Sequence, residues 1–183
     1  MTTPSRMRGA TPLDPERPDL SLPVAVARLG IVLVEPKIPP NVGAVSRICA
    51  TLGCPLYLVG PVTFREDHPA SRRAGLDYWP LVTKHYLPDL DSLRALEPGA
   101  RLHLFTTKGR RSLWDVGVAA GDLLVFGSET EGLPREIIDA HPEDTVRIPM
   151  VDGVRSLNLS SAVAVAAFEA ARQVVTAGRE APR

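Results

Sequence analysis

Histidine and cysteine are scarce in this chain of 183 residues, with four of the first and two of the second. His68, His85, His103 and His141 are scattered, and none has an acidic or cysteine neighbour at ligand spacing, which argues against a metal site. Cys49 and Cys54 match neither a zinc nor a redox motif. They are expected as buried free thiols in a reducing compartment. Neither sign of charge is in excess, because Lys+Arg and Asp+Glu are both 21. Net charge therefore announces no nucleic-acid partner and leaves room only for a local basic patch. No apolar run reaches the length of a membrane span, and the opening "MTTPSRMRGATPLDPERPDLSLP" has no apolar signal core. A cytoplasmic protein without membrane association is the expectation.

Apolar residues make up 44% of the chain, enough for the core of one α/β domain of ordinary size. The opening stretch combines Pro4, Pro12, Pro15, Pro18 and Pro23 with Arg6, Arg8 and Arg17, a composition expected of an extended arm. The expected organisation is an arm over 1–28, one domain over 29–177 and a tail over 178–183.

From Leu29 the pattern is regular. "GIVLVE" reads as a buried strand ended by Pro36. In "NVGAVSRICATLGC", Val42, Val45, Ile48 and Leu52 recur at helical spacing, with Asn41 placed as N-cap and Gly53 as stop. Further strands are expected at "LYLVG", "LVTKHY", "RLHLFT", "DLLVFG" and "TVRIP". Further helices are expected from Pro88, from Pro134 and from about Asn158 to Thr176. Strands alternating with helices through short connections imply a mostly parallel sheet with helices on both faces. Ligands in such sheets bind beyond the carboxyl ends of strands, here after Val34, Thr106, Gly127 and Pro149.

The familiar fingerprints are missing from those loops. No G-x-G-x-x-G follows a strand and no G-x-x-x-x-G-K-[ST] occurs, so neither a dinucleotide fold nor a P-loop is supported. Ser128 directly follows Gly127 in "FGSETEG", which is not the G-x-S-x-G nucleophile elbow.

Three stretches remain: "EPKIPPNVGAVSRICATLG", "LVFGSETEGLP" and "RIPMVDGVRSLNLSSAVAVAAFEA". In order, each at the end of an expected strand, they resemble the three signature motifs of the SPOUT RNA methyltransferases. "EPKIPPNVG", "TTKG" at Thr106 to Gly109 and "RRAGLDYW" at Arg72 to Trp79 are similar to the tRNA wobble-nucleotide 2′-O-methyltransferases within that class. The resemblance covers about Leu29 to Val174. It implies an α/β domain with a C-terminal trefoil knot, a topology that chain physics alone would argue against. It also implies a homodimer, S-adenosylmethionine as cofactor and the anticodon stem-loop of a tRNA as partner, with leucine acceptors as substrates. The short chain, without an added RNA-binding domain, favours this subgroup over enzymes modifying another tRNA or rRNA nucleotide. A non-catalytic RNA-binding protein keeping the cofactor fold is the reading of another class.

The resemblance assigns roles residue by residue. Asn41, Arg47, Glu129, Ser156 and Asn158 fall on catalytic positions. Phe105, Thr106, Gly127, Gly132, Ile148, Met150, Ser156 and Leu157 fall on cofactor positions. Arg65, Arg72, Arg73, Lys108 and Arg155 are candidates for the RNA phosphate surface. Methyl transfer to a ribose hydroxyl needs alignment of the hydroxyl and loss of its proton, without a metal. A guanidinium is too basic to take that proton, so Arg47 is read as gripping the adjacent phosphate and polarising the 2′-oxygen. Asn41 either caps its helix or orients Arg47 or the ribose. Glu129 either holds Asn41 or Arg47 from the facing loop or caps the helix at Pro134. Gly127 is read as letting the cofactor approach the backbone. Asn158 or Ser160 caps the Ala-rich helix, whose small residues Ala162, Ala164, Ala166 and Ala167 permit close packing.

Overall fold

The computed structural model describes residues 21–62 and 76–180. Arg65, Arg72, Arg73 and His68 lie outside the described residues, as do 1–20 and 181–183.

Strands β1 (Gly30–Val34), β2 (Leu56–Val59), β3 (Lys84–Leu87), β4 (Leu102–Phe105), β5 (Arg111–Ser112), β6 (Leu123–Phe126) and β7 (Thr145–Arg147) form one sheet. Their order is β3-β2-β1-β6-β4-β7-β5, and every neighbouring pair is parallel. The expected architecture of a mostly parallel sheet is therefore present. Its central strands are buried throughout, which is why they read as unbroken apolar runs and not as alternation.

Side chains alternate between two cores, one on each face. Ile31, Leu33, Leu56, Leu58, Leu124 and Phe126 face α1 (Pro39–Leu52), α4 (Leu159–Glu180) and the 3-10 helix Val24–Arg28. Val32, Val34, Tyr57, Val59, Leu123 and Val125 face α2 (Leu90–Leu96) and α3 (Arg135–Ala140). Each such Leu or Ile, taken fully out of water, stabilises the fold by about 1.5–3 kcal/mol. Ala166, Ala167, Ala170 and Ala171 are buried on α4, and their small size lets it lie close to α1. Cys49 and Cys54 are buried free thiols. A hydrogen bond to Cys54 and burial together push the Cys49 thiol well up.

Three boundaries differ from the sequence expectation. The packed core begins at Val26, fully buried in the 3-10 helix, ahead of residue 29. Helix α4 runs on to Glu180. Strand β5 is absent from the sequence expectation because its two residues carry no periodic signal. It nonetheless matters, since the chain leaving β4 must cross β7 to reach it. Gly109 makes that crossing: a Cβ there would overlap the Val146 carbonyl carbon and the Arg147 nitrogen.

Candidate active site

The carboxyl ends of β1, β4, β6 and β7 open onto a cleft of about 820 Å³, within the usual range for small-molecule sites. Phe105 and Phe126, at the ends of adjacent strands, stack with centroids 4.6 Å apart and planes 11° apart as part of its lining. Ile148, Met150 and Leu157 add apolar wall. Thr106, Gly127, Gly132 and Ser156 line it too, so all eight residues expected at cofactor positions share one cavity. Lys108 and Arg155 also line it. Residues 151–158 are exposed, with Arg155, Ser156 and Leu157 on the cleft wall, and Gly153 turns there with φ +86°.

The 128–132 turn is closed by two backbone bonds between Ser128 and Gly132, at 3.1 and 2.9 Å. Here the expectation for Gly127 needs correcting. A Cβ on Gly127 would fall within the Gly132–Leu133 peptide of its own turn. The glycine is required by the turn's closure, so its substitution damages the scaffold and does not merely obstruct a ligand. Gly132 is the reverse case, with φ +75° and nothing within 4 Å of a built Cβ.

The turn aims Glu129 at the start of α1. Its Oε2 accepts from the Lys37 backbone N–H at 3.0 Å, and its Oε1 accepts from the Ile38 N–H at 3.1 Å and from Asn41 Nδ2 at 3.0 Å. Asn41 is therefore not the N-cap that its spacing suggested. The helix starts two residues earlier, with Pro39 and Pro40 in its first turn and Ile38 at the cap position. Prolines remove two of the donors that a helix start leaves unpaired. The carboxylate takes the donors just ahead of them and complements the positive end of the helix. Freed from capping, the Asn41 amide points across to Glu129 and to α4.

On the α4 side, Asn158 Nδ2 donates to Asn41 Oδ1 at 3.0 Å. The Asn158 Oδ1 accepts from the Ser160 N–H at 2.9 Å and its hydroxyl at 2.7 Å, so Asn158 and not Ser160 caps this helix. Glu129, Asn41 and Asn158 thus form one hydrogen-bonded chain tying the three motif stretches together. Because Asn41 donates to a carboxylate and accepts from an amide, its flip state is fixed by the network.

Arg47 stands apart. It is exposed on α1, with its guanidinium carbon 4.6 Å from the Tyr78 ring centroid in a cation–π contact, and it does not line the cleft. Six residues along a helix turn a side chain well away from Asn41. The sequence reading passed over Glu35, which does line the cleft. The available signal was an acid placed directly at the end of a wholly apolar strand. Among the described residues, no group of His, Cys, Asp or Glu is arranged to hold a metal ion.

Comparison with known proteins accords with this geometry. A relative from Acidovorax sp. (strain JS42), named tRNA (cytidine(34)-2'-O)-methyltransferase, is 47% identical over 146 residues, covering 78% of this chain and 90% of its own. A solved structure described as "Structural insights into the 2-OH methylation of C/U34 on tRNA" superposes with a TM-score of 0.75 at 46% identity, covering 81% of this chain and 97% of that one. The SpoU methyltransferase AviRb from Streptomyces viridochromogenes, solved with its cofactor AdoMet, gives 0.68 at 26% identity, over 80% of this chain and 60% of that one. Residues 28–168 match the family model described as SpoU rRNA Methylase, and the chain belongs to the SpoU methylase family.

Proposed function

We propose that this protein is an S-adenosylmethionine-dependent 2′-O-methyltransferase acting on the wobble nucleotide, a cytidine or modified uridine at position 34, of leucine tRNAs. The observation that carries the proposal is the single cleft holding all eight expected cofactor positions, with the Glu129–Asn41–Asn158 chain beside it. The relatives named for cytidine-34 methylation supply the substrate.

The cleft suits the cofactor. Its volume accommodates a nucleoside carrying an amino-acid arm, the apolar residues Phe105, Ile148, Met150 and Leu157 suit an adenine, and Ser156 offers a polar contact. When bound, S-adenosylmethionine supplies a methyl group already made electrophilic by its sulfonium. The protein's task is then to seat a 2′-hydroxyl in line and manage its proton. Asn41 and Asn158, locked by Glu129, form the rigid wall for the ribose. Lys108 and Arg155 at the cleft receive the flanking phosphates, and Arg65, Arg72 and Arg73, outside the described residues, are further candidates from the sequence for phosphate contact. Arg47, outside the cleft and turned away from Asn41, is assigned in this reading to the phosphate next to the reacting ribose, which it would reach from beyond the cleft wall.

The active form in this reading is a cytoplasmic homodimer. Val165 and Phe168 on α4 are 38% and 49% exposed, an apolar strip that a second copy would cover. The knotted topology of the class is inferred from β7 lying between β4 and β5 and from the crossing at Gly109. Transfer of labelled methyl to bulk tRNA, with nucleoside mass spectrometry and sequencing of the modified fragment, tests the proposal. A ribose methyl at position 34 is expected. A methylated base would overturn the chemistry, and a ribose methyl in rRNA or elsewhere in tRNA would overturn the substrate. Light scattering of the active enzyme should give the mass of two chains.

A further inference from the structure

The reaction as described leaves open where the 2′-hydroxyl proton goes. Two carboxylates at the β1 side of the cleft are close enough to the ribose wall to be considered, and the structure separates them. Glu129 is already engaged, since it accepts three N–H bonds, and protonating it would weaken the bonds that hold the start of α1. Glu35 is different. Among the described residues, no hydrogen bond or ion pair reaches its carboxylate, though the residue is only partly exposed.

Its backbone is also unusual. Glu35 is the single described residue other than glycine with positive φ, at +50°, a conformation that β-carbon sterics disfavour. Directly across, at the end of β2, Gly60 has φ +80°, and a Cβ there would approach Glu35 Cγ to 2.9 Å. Two left-handed residues at adjacent strand ends therefore accommodate one side chain. Strain of this kind concentrates where a residue's position serves function. The position is apt: Glu35 directly follows the last residue of β1 and lines the cleft together with Ser128 and Glu129. Lys37, two residues on, donates its backbone N–H to Glu129, which ties the segment after Glu35 to the ribose wall.

We infer that Glu35 is the catalytic proton acceptor for the methyl transfer proposed above, on which this inference rests. The Glu35 carboxylate removes the proton from the 2′-hydroxyl as the O2′–CH3 bond forms. The methyl–sulfur bond breaks with its electron pair remaining on sulfur, giving the neutral thioether product. The proton then passes from Glu35 to water. The charged groups sharing the cleft with Glu35 are Lys108, Glu129, Glu131, Arg135, Asp139, Arg147 and Arg155, with Lys37 on its own segment. Glu131 is paired with Lys37, which tempers its repulsion.

Glu35→Gln tests this in the full-length enzyme, with cofactor binding and tRNA binding measured alongside transfer. The expected result is unchanged affinity for both ligands and a fall of about 10² to 10⁴ in single-turnover rate. In wild type the rate should rise with pH through an acid limb and level off. In Glu35→Gln that limb should vanish. A variant with near-normal rate and the same limb overturns the assignment and passes the proton to the substrate phosphate. Glu35→Gly, which relieves the positive φ, should melt no lower than wild type. Marked destabilisation, or loss of cofactor binding in Glu35→Gln, would make the carboxylate structural and also overturn it. Failure of the wild type to methylate any ribose is a separate result, one that removes the function and not this residue alone.

Discussion

Asn158 Nδ2 lies 3.0 Å from Asn41 Oδ1, and this one hydrogen bond joins the starts of two helices that are 117 residues apart in the chain. The same side chain caps α4 through its oxygen. Its two jobs can be separated by substitution. Asn158→Asp keeps a good cap but loses the donor to Asn41, whereas Asn158→Ala loses both. Asn158→Ala should cost about 1 kcal/mol of stability from the lost cap. Asn158→Asp should melt close to wild type, yet both variants should lose most transfer. Thermal melts beside a labelled-methyl assay decide it, and full activity in Asn158→Asp would remove the Asn41 link from the mechanism.

Glu129→Gln should be worse for the architecture than its conservative look suggests. The replacement turns an acceptor into an NH2 group facing backbone donors at Lys37 or Ile38. A hydrogen bond to a charged group is typically worth about 1.5–3 kcal/mol, and an unsatisfied donor adds its own cost. Hydrogen exchange at the amides of Lys37 and Ile38 should accelerate in the variant, together with loss of transfer. Unchanged protection at both amides would show that the carboxylate does not hold this helix start.

The two glycines of the turn should part company. Gly127→Ala should lower melting temperature and cofactor affinity together, because its Cβ meets the Gly132–Leu133 backbone. Gly132→Ala has room and suffers only the left-handed backbone, a penalty of about 1–2 kcal/mol. Calorimetry and cofactor titration on both variants check the ranking, and a stable, cofactor-binding Gly127→Ala protein would contradict it.

These cases show how far the sequence could be read. The sheet and its two-sided cover were legible because four of its strands are short, buried, mainly apolar runs punctuated by Gly, Pro and polar loops. The cofactor cleft was legible because strand ends in a parallel sheet converge on one side. The cap at Asn41 misled, since Asn at a helix start looks the same whether it serves its own helix or another. Only the fold reveals that Glu129 arrives from 91 residues away to take the Ile38 N–H at that helix start. Glu35 opens the first motif stretch, yet nothing in that stretch sets it apart as a reactive acid, and its positive φ is visible only in three dimensions.

Arg47→Ala should keep cofactor binding and lose transfer by about 10² to 10³, the scale for removing one contact to charge developing in the transition state. Its stacking on Tyr78 adds a second expectation. Tyr78→Ala should release the guanidinium from its present orientation and weaken tRNA binding without touching cofactor affinity. Normal turnover in Arg47→Ala would reduce that residue to a surface charge.

Acid should loosen the far end of α4 by a route independent of the cleft. Glu169 accepts from Arg172 at 2.7 and 2.9 Å and from Gln173 Nε2 at 2.8 Å. Gln173 in turn accepts from the Val118 N–H at 2.8 Å and donates to the Val116 carbonyl at 3.1 Å, pinning the segment between β5 and β6 onto the helix. The Arg172 hydrogen bond leads the effects that hold the Glu169 carboxyl below the usual carboxylate range. A carboxyl with a depressed folded-state pKa binds its proton more readily when unfolded, so it stabilises the fold above the unfolded value, about 4.3 for Glu. That contribution is lost as pH falls from there through the lower folded value. Glu169→Gln removes the titrating group, so its melting temperature should depend less steeply on pH below about 4.3 than that of wild type. At neutral pH the variant should melt lower, and the two curves should converge in acid. Parallel curves across that window would mean that the Glu169 network contributes nothing to acid sensitivity.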